Sequence, residues 1–288
     1  MTKAPYILIC GGAGSGKDTL GGMLASALDG VCVAQADPMK QLAKLVFEFT
    51  DDQLWGPSES RNAPDPRFDE YQAWHRAFGN LTEFGPTWLA TVLPEKKPTS
   101  AWAALHSWFE DVKNVNFTKR SLTARYVLQT LGTEFGRQQD PRMWNRYALT
   151  QGDLLLAGGY SYNREHGAVA DNSGLATNRG PRPYGVVVVT EGRFPNEAVG
   201  VKQRGGYLIN VLNPESDNSS VEKAGVSGHA SEKGIALIPR HWYDAMVVND
   251  KANGLQALER VVETFVKRVQ QSVDLYATVC PTEVMRSC

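Results

Sequence analysis

The chain has 288 residues, 42% of them apolar, and 30 Lys and Arg against 31 Asp and Glu give a formal net charge of -1. This length buries a substantial core, as one domain with insertions or as two small domains. The balanced charge excludes a surface that is basic overall and leaves only a local basic groove open, so nucleic acid is neither implied nor ruled out. Cys10, Cys32, Cys280 and Cys288 form no C-x-x-C pair and are too sparse for a disulfide framework, so a reducing cytoplasm is expected. Neither a secretory leader nor an apolar run of about 18 residues stands out, and no membrane partner is expected.

In chain order, the apolar stretch YILIC at 6–10 stops at glycines and predicts a buried strand. Residues 18–28 then place Leu20, Met23, Leu24 and Leu28 on one helical face. A second helix is expected over 38–49, with Pro38 in its first turn and Met39, Leu42, Leu45, Val46 and Phe49 facing inward. From 51 to 118 the pattern dissolves into Pro, Trp and charged residues, which predicts a helical insertion. Helical spacing returns over 121–135 and again from Trp144 to about Leu149. Residues 157–185 are rich in Gly, Asn and Pro without apolar period, so a long mobile loop or lid is expected. Val186 to Val189 form the strongest buried-strand signal, ending at Glu191 and Arg193, and further strands are expected over 206–212 and 244–250. An amphipathic helix over 255–273 closes the chain before a tail at 276–288. Strands alternating with helices predict an α/β fold, a doubly wound parallel sheet with helices on both faces, its core drawn from 1–50 and 119–275.

The segment CGGAGSGKDTL at 10–20 contains the pattern G-x-x-x-x-G-K from Gly11 to Lys17. Between a strand and a helix, such a loop turns backbone N–H groups toward one point, the helix N-terminus adds partial positive charge, and Lys17 supplies a full charge for β- and γ-phosphates. Gly12, Ala13, Gly14, Ser15, Gly16, Lys17, Asp18 and Thr19 are therefore the candidate nucleotide-binding residues. Asp18 stands where a hydroxyl normally meets Mg²⁺. Either it holds the metal through water, or its charge favours the helix N-terminus while Thr19 takes the hydroxyl role.

Five short motifs follow in order: SGKDT in the loop, ADPMK at 36–40, LQTLGTEFGR at 128–137 with DPRMW just after, EGRFPNEA at 191–198, and HASEKG at 229–234. Together they resemble the deoxynucleoside monophosphate kinase family of tailed bacteriophages, a branch of the P-loop nucleotide kinases, over about two-thirds of the chain. The resemblance implies a P-loop kinase fold and transfer of a phosphoryl group from ATP, with Mg²⁺, to a nucleotide. Asp after the loop lysine is usual in that family. Glu191 stands where the family commonly has Asp, beyond the Val-rich strand, where a carboxylate can hold Mg²⁺ or orient its waters; Asp18 and Thr19 complete the candidate metal set. Arg193, Arg125 and Arg137 are candidates to pair with phosphates, and Gln129 to read a base edge. Asp37 and Lys40 of the second motif are candidates for the acceptor nucleotide, although Asp37 also suits the N-cap of the following helix. His229 can close over substrate from a polar loop.

Two further readings stay open at this level. Similar phage kinases phosphorylate the hydroxymethyl group of 5-hydroxymethyluracil within DNA, which would give the insertions a polymer to grip and Glu191 or Asp37 a proton to remove. Alternatively the chain binds nucleotide without transfer, against which the joint presence of Lys17, Asp18, Glu191 and Arg193 argues. The tryptophans of the insertion suit base stacking or, as large apolar groups, the core of an added subdomain. A homodimer is compatible with the sequence.

Overall fold

The computed structural model of the protein describes residues 6–12, 14–119, 121–170, 183–214, 234–250 and 254–279, with 270–279 as backbone. Two compact units share the chain: Met1–Ala34 with Leu149–Tyr162 and Ala168–Cys288, and Gln35–Ala148 with Asn163–Gly167.

The first unit is built on a five-stranded sheet. Its strands are β1 (Tyr6–Gly11), β2 (Val31–Ala34), β5 (Val187–Gly192), β6 (Tyr207–Leu212) and β7 (Ala245–Val248), in the order β2-β5-β1-β6-β7. Every neighbouring pair is parallel. All six residues of β1 are buried, as an unbroken apolar run at the centre of a covered parallel sheet must be. Odd-numbered residues Ile7 and Ile9 join Val188, Ile209 and Val211 beneath helices α1 (Lys17–Ala27) and α10 (Gln256–Val279), through Leu20, Leu24, Leu258 and Phe265. On the opposite face, the Tyr6 hydroxyl donates to the carbonyl of Leu149 at 3.0 Å and to the Asp153 carboxylate at 2.5 Å, holding the end of α8 (Met143–Ala157). Helix α9 (Pro195–Gln203) packs there against β1 and β6. The sheet is thus covered on both sides. β1 connects toward β2 on one side and β6 toward β7 on the other, so the crevice beyond their carboxyl ends is a topological switch point.

Two features depart from the expectations above. β2 has no counterpart among the expected elements, because four residues of half-buried VCVA are too short to show a period. Residues 160–170, expected as irregular loop, form a hairpin of β3 (Tyr160–Asn163) and β4 (Gly167–Ala170). The alternation in Tyr-Ser-Tyr-Asn suits a strand, and the turn closes with the His166 N–H on the Asn163 carbonyl at 3.1 Å.

The second unit is helical: α2 (Asp37–Phe47), α3 (Asp51–Trp55), α4 (Ser58–Asn62), α5 (Tyr71–Val92), α6 (Pro98–Thr118) and α7 (Ala124–Thr130), a π-helical stretch Leu131–Arg137, and the first turns of α8. Thr50 caps α3 reciprocally with Gln53. The core centres on Phe47, whose ring lies 5.4 Å from Phe49, 5.6 Å from Phe68, 5.9 Å from Phe109 and 6.2 Å from Trp74. Trp74, Trp88 and Trp108 are buried in that cluster, and each indole N–H is used, by Phe68 O, Pro38 O and Thr130 Oγ1 respectively. These three are core residues, unavailable for stacking on bases. The cluster reaches beyond 51–118 to Leu42, Val46, Val127, Leu131 and Tyr147, so the helices of that segment share one core with α2, α7 and α8.

Candidate functional site

In the sheet unit, β1 ends at Gly11 and α1 begins at Lys17. Between them Gly14 (φ 72°) and Gly16 (φ 92°) take the left-handed conformation, which glycine adopts without steric cost. The turn is closed by Ser15 N–H on the Gly12 carbonyl at 3.3 Å, and Leu20 N–H on the Gly16 carbonyl at 3.0 Å starts the helix ladder. Lys17 is 6% exposed and its Nζ donates back to the Gly12 carbonyl at 3.4 Å, so the ammonium is held over the loop. An open cavity of about 410 Å³ is lined by Gly14, Gly16, Lys17, Asp18, Thr19, Asn249, Gly254 and Leu255. Asp18 and Thr19 are exposed on its wall.

The residues present fit an oxygen-rich anion. The hydroxyl of Ser15 is 1% exposed and has no hydrogen-bond partner among the described residues, an unsatisfied polar group inside a loop of backbone donors. A cationic side chain, glycine turns and a helix N-terminus converge on the same few residues. Ala13 lies outside the described residues.

Glu191 and Arg193 stand at the carboxyl end of β5, beside β1. Leu8 pairs with Val189 and Cys10 with Gly192, so Thr190 and Glu191 together oppose Ile9 alone, a β-bulge. Glu191 occupies that bulge at φ 72°, where a side chain costs about 1–2 kcal/mol relative to ordinary backbone. Strain of this kind persists where surrounding structure imposes it, and it re-aims the carboxylate out of the strand's alternation. Glu191 is half-buried and does not line the cavity beside Lys17. The backbone beyond it is fixed by Glu197, a residue absent from the expectations: its Oε2 accepts from the N–H of Arg193 at 2.7 Å and of Phe194 at 3.0 Å, and it is 3% exposed. A Pro at the start of α9 with Glu197 two residues later was the sequence signal for such a reach-back cap. Burial, with the Glu197 charge adding to it, pushes the Cys10 thiol up to about 12, which keeps it neutral beneath this end of the sheet.

In the helical unit, Asp37 is the first residue of α2 rather than the position before it, which Ala36 occupies, and it is 3% exposed. Gln35, also buried, has an amide nitrogen with no hydrogen-bond partner among the described residues. Tyr147 accepts from Gln41 Nε2 at 3.3 Å, and burial, opposed by that bond and helped by the nearby Asp37 charge, raises its hydroxyl to about 12. Arg125 and Gln129 lie on α7, and Arg125 Nη2 meets Ser58 Oγ at 3.3 Å. Arg137 ends the π-helical stretch that carries most of the LQTLGTEFGR motif; such stretches are frequent at functional sites. Gly136 is there for close packing, since a Cβ would stand 2.1 Å from the Trp144 ring. Lys40 Nζ is 5.7 Å from the centre of the Trp55 ring, which Lys44 at 5.7 Å and Arg164 at 4.6 Å also approach. Arg164 pairs with Asp51 at 3.5 Å, and Lys44 with Asp51 and Glu165 at 2.7 and 2.9 Å, so much of that positive charge is locally neutralised.

The structure therefore places Gly12, Gly14, Ser15, Gly16, Lys17, Asp18 and Thr19 in one loop with Glu191 and Arg193 at the neighbouring strand end, while Asp37, Lys40, Arg125, Gln129 and Arg137 belong to the helical unit. His229 lies outside the described residues. Among the described residues no helix is long and apolar enough to cross a membrane. No protein-family model matches the chain. Over 268 residues, 92% of this chain and 94% of the other, it is 25% identical to a protein of Acanthamoeba polyphaga mimivirus named "Putative deoxynucleotide monophosphate kinase".

Proposed function

We propose that the protein is a P-loop nucleotide kinase that moves the γ-phosphoryl group of ATP onto deoxynucleoside monophosphates, giving diphosphates. The observation that carries this reading is the glycine turn with the buried, folded-back Lys17 at the switch point of a parallel sheet. The similarity to the mimivirus protein along nearly the whole chain supports it.

In this reading the donor's phosphates lie along the loop, with Lys17 on the β- and γ-oxygens and the Ser15 hydroxyl given a partner that it lacks among the described residues. Asp18 and Thr19 would hold Mg²⁺, with Glu191 as a further carboxylate, and the ion would neutralise charge on the transferring group. Arg193, Arg125 and Arg137 supply further positive charge for donor and acceptor phosphates, and Asp37, Lys40 and Gln129 recognise the acceptor. An oxygen of the acceptor phosphate bonds to the γ-phosphorus while the bond from that phosphorus to the β–γ bridging oxygen breaks, releasing ADP. A phosphate oxygen is already a nucleophile, so no side chain need act as base.

Transfer from γ-labelled ATP to each free deoxynucleoside monophosphate, beside duplex DNA containing 5-hydroxymethyluracil, tests the proposal. Label on at least one mononucleotide is the expected result. Label on the duplex alone replaces the acceptor, and label on neither, with ATP still bound, removes the kinase reading.

A further inference from the structure

The loop between β1 and α1 is held by two buried asparagines from the far end of the sequence. Asn213 follows β6 and is 2% exposed; Asn249 follows β7 and is 6% exposed. Asn249 Nδ2 donates to the Ser15 carbonyl at 2.8 Å, and Asn213 Nδ2 donates to the Gly14 carbonyl at 3.3 Å. Asn249 is itself fixed by its backbone N–H on the Leu212 carbonyl at 2.7 Å. The fit is tight: a Cβ on Gly16 would approach Asn249 Nδ2 to 2.3 Å, so the glycine and the asparagine require each other.

A loop with two left-handed glycines is free to rotate its peptide planes, and a rotated plane presents a carbonyl oxygen where an anion needs an N–H. The described peptides are all trans, so within each unit the carbonyl and the N–H point in opposite directions. Fixing the Ser15 carbonyl on Asn249 therefore turns the Gly16 N–H away from Asn249. Fixing the Gly14 carbonyl on Asn213 likewise sends the Ser15 N–H the other way, onto the Gly12 carbonyl. We propose that Asn213 and Asn249 are positioning residues that lock the loop's peptide planes in the anion-receiving orientation before any ligand arrives. The cost of ordering the loop is then met in folding rather than subtracted from affinity.

The consequence for phosphate affinity rests on the phosphate-loop reading; the consequence for loop order does not. Two measurements keep them separate. Amide hydrogen exchange of residues 14–19 in the ligand-free protein reports the lock alone, and titration with inorganic tripolyphosphate reports the cradle without a base or acceptor. Asn249→Ala and Asn249→Asp, which lose the donor, are expected to speed loop exchange about tenfold and weaken tripolyphosphate about tenfold, the factor carried by one buried hydrogen bond. Asn213→Ala, with the longer bond, shows a smaller change of the same kind and serves if the Asn249 variants do not fold. Unchanged loop exchange in the folded variants overturns the proposal. If the parent protein binds no tripolyphosphate or ATP, the phosphate-loop reading falls and exchange alone decides the lock.

Discussion

In the sheet unit the groups that converge are mostly backbone: N–H groups of a glycine turn, a helix start, and a bulged strand end, with Lys17 and the neighbouring carboxylates added to them. In the helical unit the candidates Asp37, Lys40, Arg125, Gln129 and Arg137 are side chains hung on α2, α7 and a π-helical stretch over an aromatic core. A backbone site is specified by where strands stop and which residues accept positive φ, so it tolerates little change of geometry. A site of side chains on helices can exchange its contacts while the core beneath stays the same. In the proposed function the first would serve donor chemistry shared by many acceptors and the second the choice of acceptor.

Truncating the centre of the aromatic core breaks the contrast most severely. Phe47→Ala is expected to destabilise the protein by about 3–5 kcal/mol, because a fully buried ring surrounded by five others leaves a cavity that cannot collapse. Denaturant unfolding measures this, and tripolyphosphate affinity under folding conditions stays within about twofold of the parent if the sheet unit holds the phosphates by itself. Lys17→Ala has the opposite profile. If the protein transfers phosphate as proposed, transfer falls by about 10²–10³-fold, the usual cost of one charged group at a transferring phosphoryl, while the unfolding midpoint moves little. A large loss of stability instead would make Lys17 a structural residue.

Glu191→Gly separates strain from chemistry at one position. Glycine relieves the φ of 72°, so stability is expected to rise by about 1 kcal/mol, while the transfer of the proposed function drops about tenfold or more. Lower stability would mean that the contacts of the Glu191 side chain outweigh the strain. A last test is pH dependence. Burial holds the Cys10 and Cys32 thiols up at about 12 and about 11, and the Tyr147 hydroxyl up at about 12, above their ordinary values of 9.0 and 10.0. The folded chain therefore keeps protons that the unfolded chain releases between about pH 9 and 12. The stability due to these groups is complete below pH 9 and is lost as pH rises through that window. Unfolding free energies from pH 7 to 11 should be level and then decline; a rise above pH 9 would contradict it.

What could be read from the sequence was local. Apolar runs marked β1, β5, β6 and β7, helical spacing marked α1, α2 and α10, and the order of strand, glycines, lysine and helix marked the loop, because burial on a covered sheet or helix face is written at periods of a few residues. The three buried tryptophans were legible as core candidates from their size alone. Short β2 and the hairpin at 160–170 were not, since β2 is four mostly half-buried residues and Tyr-Ser-Tyr-Asn sits in a Gly- and Asn-rich stretch that reads as loop. Nor was the extent of the helical unit from Gln35 to Ala148, which depends on Phe47 and Val127 meeting in one core. Tertiary structure alone decided that Glu191 sits in a bulge, since the bulge exists only against Ile9 of another strand. It also decided that Asn213 and Asn249 hold the Gly14 and Ser15 carbonyls across 199 and 234 residues of chain. A hydrogen bond at that separation leaves no period and no spacing in the sequence; it is fixed only when the parallel sheet brings the ends of β6 and β7 beside the end of β1.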